Sequence, residues 1–244
     1  MPSLIVLPTY QEAENIRLML GRIRAAAPDL HILVVDDGSP DGTADIAEAE
    51  GETLGDIHVL RRTEKAGLGP AYRAGFTWGL DAGYDFLCQM DADFQHDPEV
   101  VPDLLAAVRD DGYDLAIGSR YVKGGQIDGW PVSRQLLSKW GNRYIGLMLK
   151  MPVRDATAGF RAYRAEILRK IDLGQIRADG YGFQIEMAYS VARAGGRIIE
   201  IPITFHKREA GESKMSPDIV TEALGLVTRW GVRDRVNSLR RRRG

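Results

Sequence analysis

Two pairs of carboxylates follow apolar runs in this 244-residue chain: Asp36-Asp37 after residues 32–35, and Asp91-Ala92-Asp93 after residues 86–90. If the backbone is still extended at the second pair, residues two apart point the same way. Asp91, Asp93 and Gln95 then present oxygen atoms on one side. An oxygen-only set suits Mg²⁺ or Mn²⁺ rather than zinc, and such ions complete their shell with substrate phosphates. An Asp-x-Asp in isolation is equally explained by a solvated turn and a helix cap. Its weight comes from standing at a strand end. The pair Asp36-Asp37, followed by Gly38-Ser39, can accept hydrogen bonds from a nucleobase or ribose, or can form an ordinary Asx turn. Glu12 has the same two readings, as a ribose or base acceptor or as an acid in the first turn of a helix.

Basic residues supply the complementary chemistry. Arg120, Arg134, Arg208 and Lys214 fall outside the regular early helices, and guanidinium groups suit bidentate contacts to phosphate. The stretch 61–69 contains Gly67-x-Gly69 but has neither the Gly-Lys-Ser/Thr of a P-loop nor Gly-x-Gly-x-x-Gly. Its glycines are expected to let the next helix start close beneath a donor.

These residues need strand ends to converge. Short apolar runs at 4–7, 32–35, 57–60, 86–90 and 115–117 read as buried strands. Helical spacing fills the intervals at 12–27, from Thr43, at 68–82 and from Asp97-Pro98, where Asp97 caps and Pro98 suits the first turn. Alternation of this kind predicts right-handed crossovers and an α/β fold with a mostly parallel sheet flanked by helices. Ligands gather at the carboxyl ends of such strands, where the polar clusters at 8–12, 36–39 and 91–93 lie. After Gly118 the pattern loosens. Helices are expected at 134–149 and 182–193, a strand at 198–201, and a mobile basic loop at 204–215. Ile219, Val220, Ala223, Leu224, Val227 and Trp230 then recur at helical spacing, as a core-facing helix or a membrane-surface one.

Composition narrows the classes. Hydrophobic residues make up 44% and charged residues 27%, which provides for a real core. The net charge of -2 excludes a general polyanion binder, although the chain ends Arg240-Arg241-Arg242-Arg243. That tail reads as a solvated, disordered end or as an attractor of anionic lipid. It has no aromatic residue from Asn237 onward, so nucleic-acid binding is not expected. The single cysteine, Cys88, sits in an apolar run as a buried thiol and suits a reducing compartment. Met1 leads straight into a strand-like run, so no leader is expected. No apolar stretch reaches the roughly 20 residues that span a bilayer.

At this point the sequence becomes recognisable. Residues 6–16 (VLPTYQEAENI), 35–43 (VDDGSPDGT) and 90–96 (MDADFQH) occur in order, followed by 118–121 (GSRY), 155–161 (DATAGFR), 182–186 (GFQIE) and 202–205 (PITF) with Arg208 and Lys214. Together they resemble the family 2, GT-A-type glycosyltransferases, and within them the polyprenol (dolichol) monophosphate mannose synthases. The resemblance covers about residues 3–216. It implies transfer of mannose, with inversion, from a GDP-mannose donor to a polyprenyl phosphate. Related transfer of glucose or another hexose to the same carrier is the alternative. It implies that Pro8, Tyr10, Glu12, Asp36 and Asp37 face the nucleotide, and that Asp91, Ala92, Asp93 and Gln95 hold metal and diphosphate. Arg120 and Arg134 would receive the acceptor phosphate, with Ser138 nearby. Arg208 and Lys214 would close over the donor phosphates.

Three segments follow from this reading: a GT-A catalytic domain at 1–215, an amphipathic interface helix at 216–236 and a basic disordered tail at 237–244. Some relatives carry carboxy-terminal membrane spans and this sequence shows none. A peripheral position on the cytoplasmic face of a membrane is therefore expected, through an amphipathic helix or a membrane-anchored partner protein. The lipid-facing surface is expected on the stripe from Ile219 to Trp230 together with Arg134. A nucleotide-binding regulatory module is the reading from a different class, and it predicts binding without turnover.

Overall fold

The computed structural model describes residues 1–207 and 217–241. In chain order the elements are β1 (Ser3–Thr9), α1 (Ile16–Ala26), β2 (His31–Asp36), α2 (Thr43–Leu54), β3 (Ile57–Arg61), α3 (Leu68–Asp81) and β4 (Phe86–Gln89). They continue with α4 (Val101–Arg109), β5 (Leu115–Ser119), β6 (Gln126–Ile127), α5 (Val132–Leu149), β7 (Arg161–Arg164) and α6 (Ala165–Lys170). The last are α7 (Gly180–Arg193), β8 (Ile198–Pro202), β9 (Thr204–Phe205) and α8 (Pro217–Arg241).

A seven-stranded sheet runs in the order β3-β2-β1-β4-β7-β5-β8. Every neighbouring pair is parallel except the two that β7 makes with β4 and β5. The expected α/β architecture is therefore present, with one reversed strand wedged into its middle. β7 brings the segment 155–160 to the carboxyl ends of β4 and β5, beside Asp91. The apolar runs bury both faces of the sheet: Leu4, Val6, Leu33 and Val35 meet α3 and α7 on one side, while Ile5, Leu7, Ile32 and Val34 meet α1 and α4 on the other. This alternation is the period of two that a strand imposes.

α3 lies unusually close to β1. A Cβ on Gly75 would collide with Val6, and one on Gly79 would come within 2.7 Å of Leu4 and Leu87. Glycine there lets the helix sit down on the sheet and brings its amino end beneath the β4 carboxylates.

Several local expectations are corrected. Residues 204–205 form β9, which pairs with β6, so the basic loop begins after them; its remainder, including Arg208 and Lys214, lies outside the described residues. α8 is helical to Arg241, past the expected boundary at 236, because nothing in 237–241 breaks a helix. The expected lipid-facing stripe on α8 is turned inward instead. Val227 is fully buried, Ala223 and Trp230 pack on the core, and Trp230 stacks on Tyr189 at 5.8 Å between ring centroids. The side chains of Ile219 and Val220 lie outside the described residues.

Gly75→Ala is expected to force α3 off β1 and to cost about 1–3 kcal/mol of stability. Urea unfolding measures this; an unchanged midpoint would mean that the close approach bears no strain.

Candidate active site

The carboxyl ends of β1, β2, β4 and β5 open into a cavity of about 630 Å³. Pro8, Thr9, Tyr10 and Glu12 form its wall at the end of β1, with Asp37 from the next strand end. The connecting loops are tied tightly. Glu12 N donates to Thr43 Oγ1 at 3.0 Å, Gln11 N to Ser39 Oγ at 3.0 Å, and Ala13 N to Asp41 Oδ2 at 3.1 Å.

Asp36 and Asp37 divide sharply. Asp36 is 2% exposed and does not line the cavity. Its carboxylate accepts from Thr9 Oγ1 at 3.0 Å, Ser39 N at 2.9 Å and Ser39 Oγ at 2.6 Å. The structure thus gives Asp36 the job of joining the β1 and β2 loops, not of facing a ligand. Asp37 does face the cavity and accepts from Arg62 Nη1 at 2.5 Å. Burial pushes its carboxyl up, and the opposing pull of Arg62 does not fully cancel that. Lys65 also lines this wall, with Nζ 3.8 Å above the Tyr10 ring centroid. Sequence reading missed Lys65, whose only signal was a basic residue just before Gly67-x-Gly69.

Asp91, Ala92, Asp93, Gln95 and His96 form the floor. Tyr72 on α3 donates to Asp91 Oδ1 at 2.7 Å, and Asp93 Oδ1 accepts from Gln95 N at 3.1 Å. Phe94 turns the chain between them at φ 59°, a left-handed geometry that non-glycine residues rarely adopt. Among the described residues no group of three or more His, Cys, Asp and Glu is placed to hold a metal. Two carboxylates and an amide oxygen are an oxygen-only, incomplete set, which fits a hard divalent cation that takes its remaining ligands from a diphosphate. His96 is 4% exposed and lies edge-on to Phe160 and Phe205; burial drives its pKa down to about 4.

The opposite wall is cationic and aromatic. Arg134 places its guanidinium carbon 3.9 Å from the Trp130 ring centroid, and Tyr181 is hydrogen-bonded to it. Arg120 lines the cavity too, but one face of its fork is taken. Nε and Nη2 donate to the two oxygens of Asp155 at 2.7 and 2.6 Å, and Nη2 also reaches Thr157 Oγ1 at 2.9 Å. A buried carboxylate thus fills one bidentate face of Arg120, which narrows the expected contact with an acceptor phosphate to the remaining N–H groups of the guanidinium. Ser138 accepts from Tyr121 Oη at 2.6 Å. It borders a smaller apolar recess of about 70 Å³ that adjoins Trp130 and Arg134.

Burial pushes the Asp155 carboxyl up, but the charge and hydrogen bonds of Arg120 outweigh it and hold the group below the usual carboxylate range. Asp155 N and Arg154 N in turn donate to Glu200 on β8 at 2.9 and 2.8 Å.

A mostly parallel sheet with one reversed strand, carboxylates at its ligand edge and cations across the cavity is the arrangement of the GT-A fold. The chain belongs to glycosyl transferase family 2, whose profile matches residues 4–172. It is 54% identical over its full length, and over the full length of the relative, to the undecaprenyl-phosphate mannosyltransferase of Micrococcus luteus. It is 50% identical to the polyprenol monophosphomannose synthase of Mycolicibacterium smegmatis, covering 98% of this chain and 90% of that protein. Among solved structures it resembles a mannosyltransferase from Pyrobaculum calidifontis in complex with GDP-Man and Mn²⁺. The TM-score is 0.58 at 17% identity, over 94% of this chain and 71% of the other. The last likeness is one of fold.

Asp155→Asn is expected to cost about 3–5 kcal/mol, since it strands a buried guanidinium. The folded-state pKa of Asp155 is depressed, so its stabilisation is complete above the ordinary carboxylate range and is lost as pH falls through the lower folded value. Unfolding from pH 7 down to pH 2 should therefore show the wild-type advantage over the Asn variant shrinking only in acid. A constant difference would contradict the pairing.

Proposed function

We infer that this chain transfers mannose from GDP-mannose to a polyprenyl phosphate, with inversion, releasing GDP. One observation carries the reading: a single cavity sets an oxygen-lined floor at Asp91, Asp93 and Gln95 opposite the Arg134–Trp130 wall, with an apolar recess behind that wall. The names of relatives sharing half or more of the sequence support the same substrates.

The division of labour follows from chemistry. Tyr10, Glu12, Asp37 and Lys65 surround the nucleotide end of the donor. Asp91, Asp93 and Gln95 would hold Mg²⁺ or Mn²⁺, which neutralises charge on the departing diphosphate. Arg134, stacked on Trp130, receives the acceptor phosphate, and the recess beside it takes the first apolar atoms of the lipid. A lipid phosphate is already ionised near neutral pH, so its oxygen attacks the anomeric carbon without a protein base. This chain therefore contributes alignment and charge placement. Arg120 acts through Asp155 and Thr157 by fixing the wall. Arg208 and Lys214 keep the role their motif implies, closing over the donor phosphates.

The membrane-facing surface is assigned to α5. Among the described residues no helix is long and apolar enough to cross a membrane. Val132, Leu136, Leu137, Trp140 and Leu147 on α5 are 71, 61, 52, 56 and 67% exposed, with Lys139, Arg143 and Lys150 exposed among them. Apolar side chains interleaved with cations suit the interface of an anionic bilayer, and Arg134 lies on the same helix. Peripheral attachment to the cytoplasmic face would bring the acceptor phosphate to that wall.

Asp91→Ala and Asp93→Ala are each expected to lower mannosyl transfer from radiolabelled GDP-mannose to polyprenyl phosphate at least a hundredfold, on the order of one lost charge-assisted contact to the reacting diphosphate. Chelator should abolish wild-type transfer and added Mg²⁺ or Mn²⁺ restore it. Full activity of either variant would remove the metal assignment, and equal use of UDP-glucose would remove the donor assignment.

The double variant Leu136→Ser, Trp140→Ser should lose flotation with phosphatidylglycerol vesicles while still binding GDP. Retained flotation would place the membrane contact elsewhere.

A further inference from the structure

A line of buried polar groups runs beneath the cavity floor and ends in its wall. Arg161 is fully buried. Its guanidinium donates to the carbonyls of Ala158, Gln184 and Ala156, each at 2.8 Å, and to Tyr163 Oη at 3.3 Å. Tyr163 Oη donates to Gln89 Oε1 at 3.2 Å, and Gln89 Nε2 donates to Gln184 Oε1 at 2.9 Å and to the Gly159 carbonyl at 2.8 Å. Every bond in this chain points the same way. Hydrogen bonds aligned head to tail polarise one another, and the orientation of each amide is fixed by the one before it.

The last donor is Gln184 Nε2. Gln184 is 2% exposed and lines the cavity, yet Nε2 has no hydrogen-bond partner among the described residues. A buried donor without an acceptor costs about 1–3 kcal/mol, so its place in the wall calls for a ligand. Beside it is Asp91. The position a Cβ on residue 159 would take lies 3.5 Å from Asp91 Oδ2 and 3.6 Å from Gln184 Nε2. The two atoms therefore face the same side of the Gly159 backbone, one only accepting and the other only donating, and the absence of a side chain at 159 leaves room for a ligand to approach between them.

We propose that Asp91 and Gln184 together bind one hydroxyl of the transferred sugar, in the gap that Gly159 leaves, and so select which hexose the cavity accepts. A hydroxyl both donates and accepts, and so satisfies the two partners at once. A phosphate oxygen cannot donate to Asp91 and repels it, and a metal ion held by Asp91 and Asp93 would lie away from the Gln184 N–H, which opposes a cation. The gap lies on the acceptor side of Asp91. Gly159 follows Thr157, which Arg120 holds, and Gln184 shares α7 with Tyr181, the partner of Arg134. The sugar, lying between nucleotide and acceptor phosphate, is the part of the donor that passes this point. The assignment rests on the proposed donor reading.

The test compares wild type, Gln184→Met and Gly159→Ala on GDP-mannose and on donors that each lack one sugar hydroxyl. Gly159→Ala keeps every hydrogen bond of the chain and meets only ordinary van der Waals contacts, so its melting temperature should stay near that of wild type. For wild type, one deoxy donor should lose roughly ten- to a hundredfold in kcat/KM. Gln184→Met and Gly159→Ala should lose a similar factor on intact GDP-mannose and nothing further on that one deoxy donor. They should show their full loss on all the others, with GDP affinity within about twofold of wild type. If the variants lose equally on every deoxy donor, Gln184 is only structural and the hydroxyl assignment fails while the donor reading stands. A loss that instead tracks removal of a ribose hydroxyl moves the contact to the nucleotide and also overturns it. A wild type that does not turn over GDP-mannose removes the donor reading itself, and this assignment with it.

Discussion

The buried ion pair between Arg120 and Asp155 joins the two halves of this site. Arg120 leaves the end of β5, and Asp155 opens the segment that leads into the reversed strand β7. Two side-chain bonds and the Arg120 N–H to Asp155 Oδ2 bond at 3.0 Å lock the two segments together. From this pair the constraint spreads outward. Glu200 holds the backbone of Asp155 from β8, Thr157 takes a fourth bond from Arg120, and Asn142 on α5 donates to Thr157 and accepts from Ala156 N. The Arg120 guanidinium also lies about 5 Å from the rings of Trp130 and Phe205. The wall carrying Arg134 is thereby fixed relative to the floor carrying Asp91. A buried pair of charges is costly to assemble in terms of solvation alone; here it sets the distance between the Asp91 floor and the Arg134 wall.

The carboxylate side of the cavity uses a different device, because not every carboxylate there faces the cavity. Asp36 is consumed in closing the loops after β1 and β2, which leaves Asp37, one residue on, to face the cavity. Tyr72 and the Gln95 N–H likewise hold Asp91 and Asp93 in place. Polar side chains that would otherwise move are held by their neighbours, and such preorganisation lowers the cost of binding a charged ligand.

The alternation of apolar runs and helical spacing through Gly118 made the sheet, its parallel sense and its ligand edge legible, because buried strands and amphipathic helices impose different periods. β7 was not legible. Arg161-Ala162-Tyr163-Arg164 has no apolar run, and a guanidinium buried against carbonyls looks in sequence like a surface charge. The adjacent pair Asp36-Asp37 defeated sequence reading for a related reason. Which of two neighbours turns inward depends on where the strand ends, and element ends are where pattern is weakest. For α8 the stripe was read, but a helix packed on a core and a helix lying on lipid share one period. Only the contacts with α5 and α7 decide between them. The exposed leucines of α5 carry no comparable signal, since the helix buries Asn142, Ile145 and Leu149 on its other side.

The reversed strand also bears on how the chain assembles. β1, β2 and β3 pair through neighbouring βα units, and β4 joins β1 with Ser3 opposite Phe86, so residues up to about 90 complete four strands of the sheet by themselves. β7 must then insert between β4 and β5, pairing Gln89 with Arg161 and Ile117 with Arg161. β8 closes the edge on β5 from more than 80 residues away, with Leu115 opposite Ile198. Closing such loops is slow compared with forming local units. On a ribosome the half built from β1 to β4 therefore has its partners in hand well before the half built from β5, β7 and β8, and the open edge of β4 waits until the middle of the chain has emerged. That edge is the stretch of backbone most in need of protection during synthesis.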